Sequence, residues 1–389
     1  MIDIAAVRAD TPGTAFVTHF NNAGASLMPR PVVDVINEYL IEESRYGGYE
    51  VADARADELR STYDTFAELV GSDRSEIAIT DSATRAWDIA FSAMTFRAGD
   101  RILTTASEYA SNVIAFLQAS ERTGVSVEVV PNRPTGEIDP DALDAMIDGR
   151  VRLIAINHAP TNGGLVNPAA EVGRVANEHG IPYLLDACQS VGQMPVDVDE
   201  VGCDLLSATS RKFLRGPRGV GFLFVRSTML GRLSPPVLDL HGARWESLDR
   251  FVVRPDAGRF ELWERSPALM IGTGVAARYA MEVGLSAIWD RVARLAALLR
   301  SALDRLPGVT VHDVGAVQGA IVTFTLHDRK AVHIKAVLGD AAINVSVVTP
   351  NSARFDMEAR NLPDLVRASV HYFNTEDEIE RLVAAVSRV

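Results

Sequence analysis

Short apolar segments alternate with amphipathic segments between residues 65 and 225 of the chain. Short apolar runs bounded by turn residues are typical of buried strands, and the longer segments between them have helical periodicity. The pattern predicts an α/β fold with a mostly parallel, wound sheet and helices on both faces. The predicted strands cover residues 77–79, 101–103, 127–130, 153–156, 183–185, 205–206 and 221–225, and the helices between them cover 83–96, 110–122 and 168–179.

The pattern changes towards the end of the chain. Thr375 and Glu378 have the spacing of a capping box that opens a last helix. We predict a large domain at 26–274 and a smaller α+β domain at 275–389, with an N-terminal arm at 1–25 that packs with the small domain. The elements predicted for the small domain are helices at 271–288 and 291–306 and strands at 309–312, 320–326 and 366–371.

The composition excludes a few broad classes of function. The 389 residues carry a formal net charge of -13, which argues against general binding of nucleic acid or anionic membranes, because both need basic surface. No apolar run reaches the roughly 20 residues of a membrane span. The N-terminus lacks a signal-peptide pattern, so a cytoplasmic protein is expected. Cys188 and Cys203 are too few for a disulfide framework or a zinc cage, and no metal is expected.

Lysine is rare in this chain. Among 38 basic residues, only Lys212, Lys330 and Lys335 are lysines. Arginine stays protonated, whereas lysine can lose its proton and form an imine, so each lysine is a candidate for covalent chemistry. Lys212 lies 26 positions after Asp186, which ends a predicted apolar strand. An imine-forming amine and an acid that holds a pyridine nitrogen are what pyridoxal 5'-phosphate (PLP) chemistry requires.

Other residues fit PLP chemistry, although each has a structural alternative. Asp186 caps the next helix or binds the ring nitrogen, and Gln189 after it is placed to donate to the ring hydroxyl oxygen. The segment Ser82-Ala83-Thr84 opens a helix, either as a plain N-cap or as a phosphate site. Tyr109 follows a strand and either fills the core or stacks on a ring. Arg367 interrupts an apolar strand and requires an anion there, either a substrate carboxylate or an acidic side chain.

Four motifs together resemble the class V aminotransferase family of fold-type I PLP-dependent enzymes, and its cysteine-desulfurase-like group most closely. The resemblance covers nearly the whole chain. It implies the fold-type I PLP-dependent transferase fold, PLP as cofactor, a small amino-acid substrate, and a homodimer with active sites at the interface. The motifs are His19-Phe20-Asn21-Asn22-Ala23-Gly24, Asp186-Ala187-Cys188-Gln189-Ser190-Val191-Gly192, Thr209-Ser210-Arg211-Lys212 and Arg367-Ala368-Ser369-Val370-His371-Tyr372-Phe373-Asn374-Thr375.

The resemblance also implies roles for single residues. Lys212 matches the lysine that binds the cofactor and shuttles protons, and Asp186 matches the partner of the ring nitrogen. Tyr109 stands where many members stack a histidine on the ring, and Arg367 matches the arginine that grips the α-carboxylate. The other cofactor contacts it implies are Ala83, Thr84, Thr161 or Asn162, Gln189, Thr209 and Arg211, and the first motif adds Asn22, Ala23 and Gly24 as substrate contacts.

Three departures from the family pattern narrow the function. Cysteine desulfurases need a mobile-loop cysteine that attacks the substrate sulfur, whereas residues 347–361 contain none and Ser352 falls near that position. Where members often have a single asparagine near the ring, this chain has Thr161-Asn162. Where a glycine-threonine turn usually reaches the phosphate of the partner subunit, this chain has Leu262-Trp263-Glu264-Arg265-Ser266, which makes Arg265 the candidate replacement.

The leading hypothesis is a PLP-dependent lyase that eliminates a β-sulfur leaving group and yields pyruvate and ammonia. A softer resemblance to C–S lyases and to isopenicillin N epimerase-like proteins supports it. A class V aminotransferase or amino-acid epimerase is the alternative, and a non-catalytic PLP-fold binding module is a remote one. Candidates for reading a second anionic group on the substrate, unless they are simply solvated, are Arg244, Arg354 and Arg360.

Overall fold

The computed structural model describes residues 2–389, in which helices and strands alternate along most of the chain. The strands are β1 (Thr18–His19), β2 (Ile77–Thr80), β3 (Arg101–Thr104), β4 (Ser126–Val129), β5 (Val151–Asn157), β6 (Tyr183–Asp186), β7 (Leu205–Thr209), β8 (Gly221–Val225), β9 (Ala243–Ser247), β10 (Arg250–Val253), β11 (Val309–Val311), β12 (Ile321–Leu326), β13 (Ile343–Asn344), β14 (Ser346–Val348) and β15 (Leu365–Ser369). The α-helices are α1 (Ile4–Ala9), α2 (Arg30–Tyr46), α3 (Gly48–Ala54), α4 (Ala56–Val70), α5 (Ala83–Ser92), α6 (Ala110–Thr123), α7 (Pro140–Met146), α8 (Ala169–His179), α9 (Val198–Val201), α10 (Pro267–Val283), α11 (Leu285–Asp304), α12 (Ala331–Asp340), α13 (Arg354–Ala359) and α14 (Glu376–Val386).

Seven strands form the central sheet, in the order β2-β8-β7-β6-β5-β3-β4. Neighbouring strands are parallel except at β8, which is antiparallel to both β2 and β7. Both faces are covered, as β5 illustrates. Ile154 and Ile156 pack in one core with Val172 of α8, while Leu153 packs in a second core with Trp87 of α5. Burial on both faces explains why these strands are apolar without alternation, and it confirms the predicted α/β fold class.

A second, four-stranded antiparallel sheet lies in the C-terminal part, in the order β11-β12-β15-β14. Helices α11 and α12 pack against it, and α14 packs against these two helices. The N-terminal segment joins this part of the molecule, because β1 pairs with β13 and Asn21 bridges to Ser369. Helix α10 spans residue 275 and packs on α2 and α4. The division of the chain into three regions at residues 25 and 274 stays a prediction.

The structure shifts some of the predicted boundaries. The two long helices meet at Gly284, whose φ of 94° is left-handed, and not near residue 290 as predicted. A glycine within an apolar, helix-forming stretch gives only a weak stop signal, which explains the error. The capping box is confirmed, since Thr375 Oγ1 accepts from Glu378 N at 3.2 Å and Glu378 Oε2 accepts from Thr375 N at 3.2 Å. Within residues 2–389, no helix is long and apolar enough to cross a membrane.

Candidate active site

A pocket opens at the carboxyl ends of the central strands. Residues that follow β2, β3, β5, β6 and β7 line it together, as is usual for ligand sites of wound sheets. The sheet therefore brings together side chains that are far apart in the sequence. Those that line the pocket include Ser82, Ala83, Thr84, Tyr109, Asn112, Thr161, Asp186, Cys188, Gln189, Thr209, Arg211 and Lys212.

The predicted lysine and acid both lie in this pocket. Asp186 ends β6 and is 7% exposed, and Lys212 follows the end of β7. Burial lowers the pKa of the Lys212 amine, and the nearby Cys188 and Asp186 only partly oppose this effect. A lowered pKa gives the amine a larger uncharged fraction at neutral pH, which is the form that attacks an aldehyde.

Gly192 explains why the acid motif and the lysine motif meet closely. Its φ of 91° lies in the left-handed region. A side chain at this position would overlap the backbone of Phe213 and Leu214, directly after Lys212. The loop after Asp186 and the loop after β7 therefore touch backbone to backbone, which requires glycine.

The segment that opens α5 is both a helix cap and one wall of the pocket. Ser82 Oγ accepts from Arg85 N at 3.1 Å, so the N-cap is present. The first N–H groups of a helix have no acceptor within the helix, and together with the helix dipole they favour an anion. Gly221 of β8 allows the close approach, because a Cβ there would overlap the Ser82 and Ala83 backbone. Thr209, paired with Gly221, places a hydroxyl next to the same turn.

Arg367 lies at the other end of the site, held by neutral oxygens. Its Nη1 donates to the Thr161 carbonyl oxygen at 3.0 Å and to Thr161 Oγ1 at 2.6 Å. Its Nε is buried without a hydrogen-bond partner. Within residues 2–389, no acidic side chain forms a salt bridge with Arg367. The structure therefore does not contain the structural ion pair that was the alternative to a substrate carboxylate.

Thr161 and Asn162 face different surroundings. Thr161 lines the pocket and accepts from Arg367, whereas Asn162 Nδ2 donates to Asp356 Oδ2 of α13 at 2.7 Å. Thr161 therefore lies in the pocket, and Asn162 is tied to α13. Gln189 Nε2 donates to Ala23 O at 3.2 Å, and its Oε1 is buried without a partner.

The other predicted substrate residues divide into two groups. Asn22 Nδ2 donates to Ser369 O at 2.8 Å and holds the N-terminal segment, while the Gly24 carbonyl oxygen accepts from Arg211 of the pocket. The three arginines proposed for a second anionic group are engaged elsewhere. Arg244, Arg354 and Arg360 form salt bridges with Glu246, Glu358 and Asp356, respectively.

The pocket contains groups that the sequence analysis missed. Asn112 Nδ2 donates to Asp186 Oδ2 at 3.0 Å and to Glu108 Oε1 at 2.8 Å. Cys188 lines the pocket, and its backbone N–H donates to Asp186 Oδ1 at 2.9 Å. A signal for the first pair was present, because Glu108 and Asn112 lie on either side of Tyr109 at the start of a helix, four residues apart.

The residues present fit PLP. The site offers a buried amine on Lys212, an acid on Asp186, and a helix start beside Thr209 for the phosphate. Two buried polar atoms at the site, Gln189 Oε1 and Arg367 Nε, have no partner within the protein. Because buried polar groups are almost always hydrogen-bonded, such atoms mark a place where a ligand binds.

Comparison with known proteins decides the family. Residues 18–382 match the family model of class V aminotransferases, described as Aminotransferase class-V. The chain belongs to the class V aminotransferase family. This confirms the resemblance deduced from the motifs, the fold-type I fold, and PLP as the cofactor.

Relatives with curated names are similar over nearly their whole length. The chain is 28% identical over 384 residues to a probable cysteine desulfurase of Methanothermobacter thermautotrophicus, covering 97% of this chain and 95% of the relative. It is 28% identical over 411 residues to probable cysteine desulfurase 2 of Mycobacterium leprae, covering 100% and 96%. The enzyme is thus cysteine-desulfurase-like in sequence.

Solved structures show the same fold. The apo structure of cysteine desulfurase from Thermococcus onnurineus NA1 has a TM-score of 0.93 at 25% identity, and the match covers 100% of this chain and 98% of the other. A complex of the cystine C–S lyase C-DES with cysteine persulfide has a TM-score of 0.87 at 24% identity, covering 97% and 99%. At that identity the second match supports the fold alone.

Proposed function

We propose that this protein is a PLP-dependent lyase that acts on an amino acid with a sulfur leaving group at Cβ. The observation that carries the proposal is a pocket that fits PLP, together with a segment, residues 347–361, that contains no cysteine and packs on α6. Water and the substrate give pyruvate, ammonia and a thiol or sulfenate. Relatives named cysteine desulfurase support C–S bond cleavage as the class of reaction.

This segment contains two short helical elements on either side of Ala353. Residues 349–361 contain a turn of 3-10 helix, Pro350–Ser352, that lies against α6, the helix that begins beside Tyr109. Ser352 Oγ donates to Thr349 O at 2.7 Å. A serine hydroxyl has neither the low pKa nor the polarisable sulfur needed to accept a sulfur atom from the substrate. This argues for release of the leaving group into solution.

The thiol inside the pocket does not replace a loop cysteine. Burial, followed by the charge of Asp186, raises the pKa of Cys188 well above its usual value, so Cys188 stays a thiol at neutral pH. The nucleophile in thiol chemistry is the thiolate. Cys203 is buried just before β7, where burial raises its pKa to about 12.

The residues of the pocket have separable tasks. When bound, PLP supplies an aldehyde that condenses with amines and a ring that takes up the electrons left by breaking a bond at Cα. Asp186 would hold the proton on the ring nitrogen, and Arg367 would bind the substrate carboxylate. Lys212 Nζ then removes the proton from Cα, because burial keeps its amine partly uncharged. Tyr109, 37% exposed at the pocket, would stack on the ring and cover it from solvent.

A homodimer is part of the proposal. Tyr46, Tyr49 and Trp263 are large apolar residues that are more than half exposed, and Trp263 and Tyr49 line one groove with Arg265. Arg265 Nη1 donates to Tyr63 Oη at 2.7 Å and pairs with Glu261. A second copy would cover this surface and bring Arg265 towards the neighbouring site. Sedimentation equilibrium tests this directly, and a monomer at micromolar concentration would contradict it.

The function is tested by following the visible spectrum of the purified protein while single amino acids and cysteine conjugates are added. Pyruvate and ammonia are assayed in each sample. Pyruvate that appears with one class of sulfur amino acid supports the lyase. Conversion of the cofactor to its amine form without pyruvate would indicate an aminotransferase. A change of stereochemistry without ammonia would indicate an epimerase.

A further inference from the structure

Glu108 is a buried acid behind the pocket that the reaction described above does not use. It is 1% exposed and lies between β3 and α6. Its Oε1 accepts from the backbone N–H of Tyr109 at 2.8 Å and from Asn112 Nδ2 at 2.8 Å. Its Oε2 accepts from Thr104 Oγ1 at 3.2 Å. One carboxyl group thus fixes the backbone of Tyr109 and the side chain of Asn112.

Asn112 connects this acid to the pocket. The same Nδ2 that donates to Glu108 donates its second proton to Asp186 Oδ2, at 3.0 Å. Asp186 has a second donor, the Cys188 N–H at 2.9 Å on Oδ1. Both oxygens of Asp186 are therefore held by donors, and the orientation of the carboxyl plane depends on where Asn112 sits.

Asp186 and Glu108 differ in how well their surroundings stabilise a negative charge. Within residues 2–389, neither acid forms a salt bridge with Lys, Arg or His. Asp186 lines the pocket, where the protonated ring nitrogen of bound PLP would balance its charge. Glu108 lies behind it without such a partner, and the charge of Asp186 acts on it. Burial, and then the charge of Asp186, raises the pKa of Glu108 to about 8.

We propose that Glu108 is a positioning residue that acts as a neutral carboxylic acid: it fixes Tyr109 and Asn112 and, through Asn112, aims Asp186 at the cofactor. A charged carboxylate at this place would repel Asp186. A neutral one supplies the same acceptor oxygen to Asn112 and Tyr109 without competing for the proton of the ring nitrogen. The proposal rests on PLP as the cofactor and does not depend on which amino acid is the substrate.

Three substitutions at one position test the proposal. Glu108→Gln keeps the size and the acceptor oxygen and is neutral, so we expect an affinity for PLP within about twofold of the parent. Glu108→Ala leaves the buried donors of Asn112 and Tyr109 unpaired, so we expect an affinity lower by about tenfold or more. Glu108→Asp, which is one methylene shorter, should resemble the alanine variant.

The readouts are the dissociation constant of PLP from the reconstituted apoprotein and the visible circular dichroism of the bound cofactor. Both report on the placement of the ring and not on turnover, so they separate this proposal from the lyase proposal. Glu137→Gln is the control, since Glu137 is also buried at 5% exposure but bonds to Thr135 and Ala316 away from the pocket.

Each result with the Glu108 variants tests one part of the proposal. If the alanine variant binds PLP as tightly as the parent with the same dichroism, Glu108 positions nothing. If the glutamine variant is as weak as the alanine variant, the negative charge matters and the neutral form is wrong. If the alanine apoprotein does not fold, as judged by thermal unfolding, the glutamine and aspartate variants decide: equal affinity in these two would overturn the proposal.

Discussion

Thr161 accepts two hydrogen bonds from a single nitrogen of Arg367, at its carbonyl oxygen (3.0 Å) and at its hydroxyl oxygen (2.6 Å). This arrangement orients the guanidinium with uncharged oxygens and leaves its Nε unpaired. Burial, and then the nearby Arg211, lowers the pKa of Arg367 to about 10, which still leaves it charged at neutral pH. A buried cation without an acidic partner is a site prepared for an anion.

We therefore expect Arg367→Ala to raise KM for α-amino acids by about 30-fold, because a charge-assisted contact to the carboxylate is worth about 2 kcal/mol. Steady-state kinetics at saturating PLP measures it. Arg354→Ala is the matched control, since Arg354 is exposed and paired with Glu358, and it should leave KM unchanged. Equal KM values for Arg367→Ala and the parent would make Arg367 a structural residue.

Lys212→Ala should abolish both the imine absorbance band of the holoenzyme and turnover. The reason is that Lys212 is the lysine that lines the pocket, whereas Lys330 and Lys335 are exposed and lie outside it. The visible spectrum after reconstitution with PLP checks this, and Lys335→Ala serves as the control that keeps the band. An imine band that persists in Lys212→Ala would place the cofactor on a different amine.

Much of this site follows from sequence because its key residues end buried strands. Asp186 and Lys212 were identifiable from an apolar run that stops at an acid and from the scarcity of lysine. The sequence could not distinguish Thr161 from Asn162, because both follow the same strand. Only the tertiary contact of Asn162 with Asp356 separates them. Likewise, Glu108 looks like an ordinary surface acid until the fold buries it.

Some secondary-structure elements were also predictable from the sequence and others were not. The bounds of strand β8 were predicted correctly, because Gly221 and the apolar run after it mark both ends of the strand. The exposed hairpin of β9 and β10 was missed because its strands are short and most of their side chains, such as Trp245 and Phe251, are exposed, so they form no buried apolar run. Packing between distant segments, as at Gly192, leaves no local signal beyond the glycine itself.

Gly192→Ala should lower the free energy of unfolding far more than a substitution at a glycine with open space around it. Gly180 provides the matched control, because its φ of 64° is also positive but nothing lies within 4 Å of an added Cβ. Gly180→Ala should cost only the backbone strain of about 1–2 kcal/mol, whereas Gly192→Ala must also separate the loop after Asp186 from Phe213. Urea unfolding and PLP affinity measure both. Similar losses in the two variants would show that the close approach is not needed.

The protein should lose stability in mild acid because of a buried histidine. Burial lowers the pKa of His158 to about 4 from 6.5, and its Nδ1 has no hydrogen-bond partner. Between these two values the unfolded chain binds a proton that the folded protein does not, so the free energy of unfolding is complete above pH 6.5 and falls as the pH drops towards 4. The contribution is on the order of 3 kcal/mol.

Urea unfolding at pH 7 and pH 5 measures this effect. The parent should lose more stability between the two values than His158→Gln, which has no proton to gain. His333→Gln is the control, since His333 is exposed. If His158→Gln and the parent lose stability equally, other groups cause the acid sensitivity.

Sulfur release should not require a cysteine of this protein. Cys188 is kept as a thiol beside Asp186, and Cys203 is fully buried, so neither is suited to accept sulfur from a substrate. We expect the double variant Cys188→Ser, Cys203→Ser to release the leaving group and pyruvate at rates within a few-fold of the parent, since the elimination uses Lys212 and not a thiol. The assay follows pyruvate and thiol together, with Cys203→Ser alone as the control for core packing. Loss of thiol release in the double variant, with the cofactor spectrum and the control intact, would mean that Cys188 takes part in the transfer of sulfur and that the reaction is closer to that of a desulfurase.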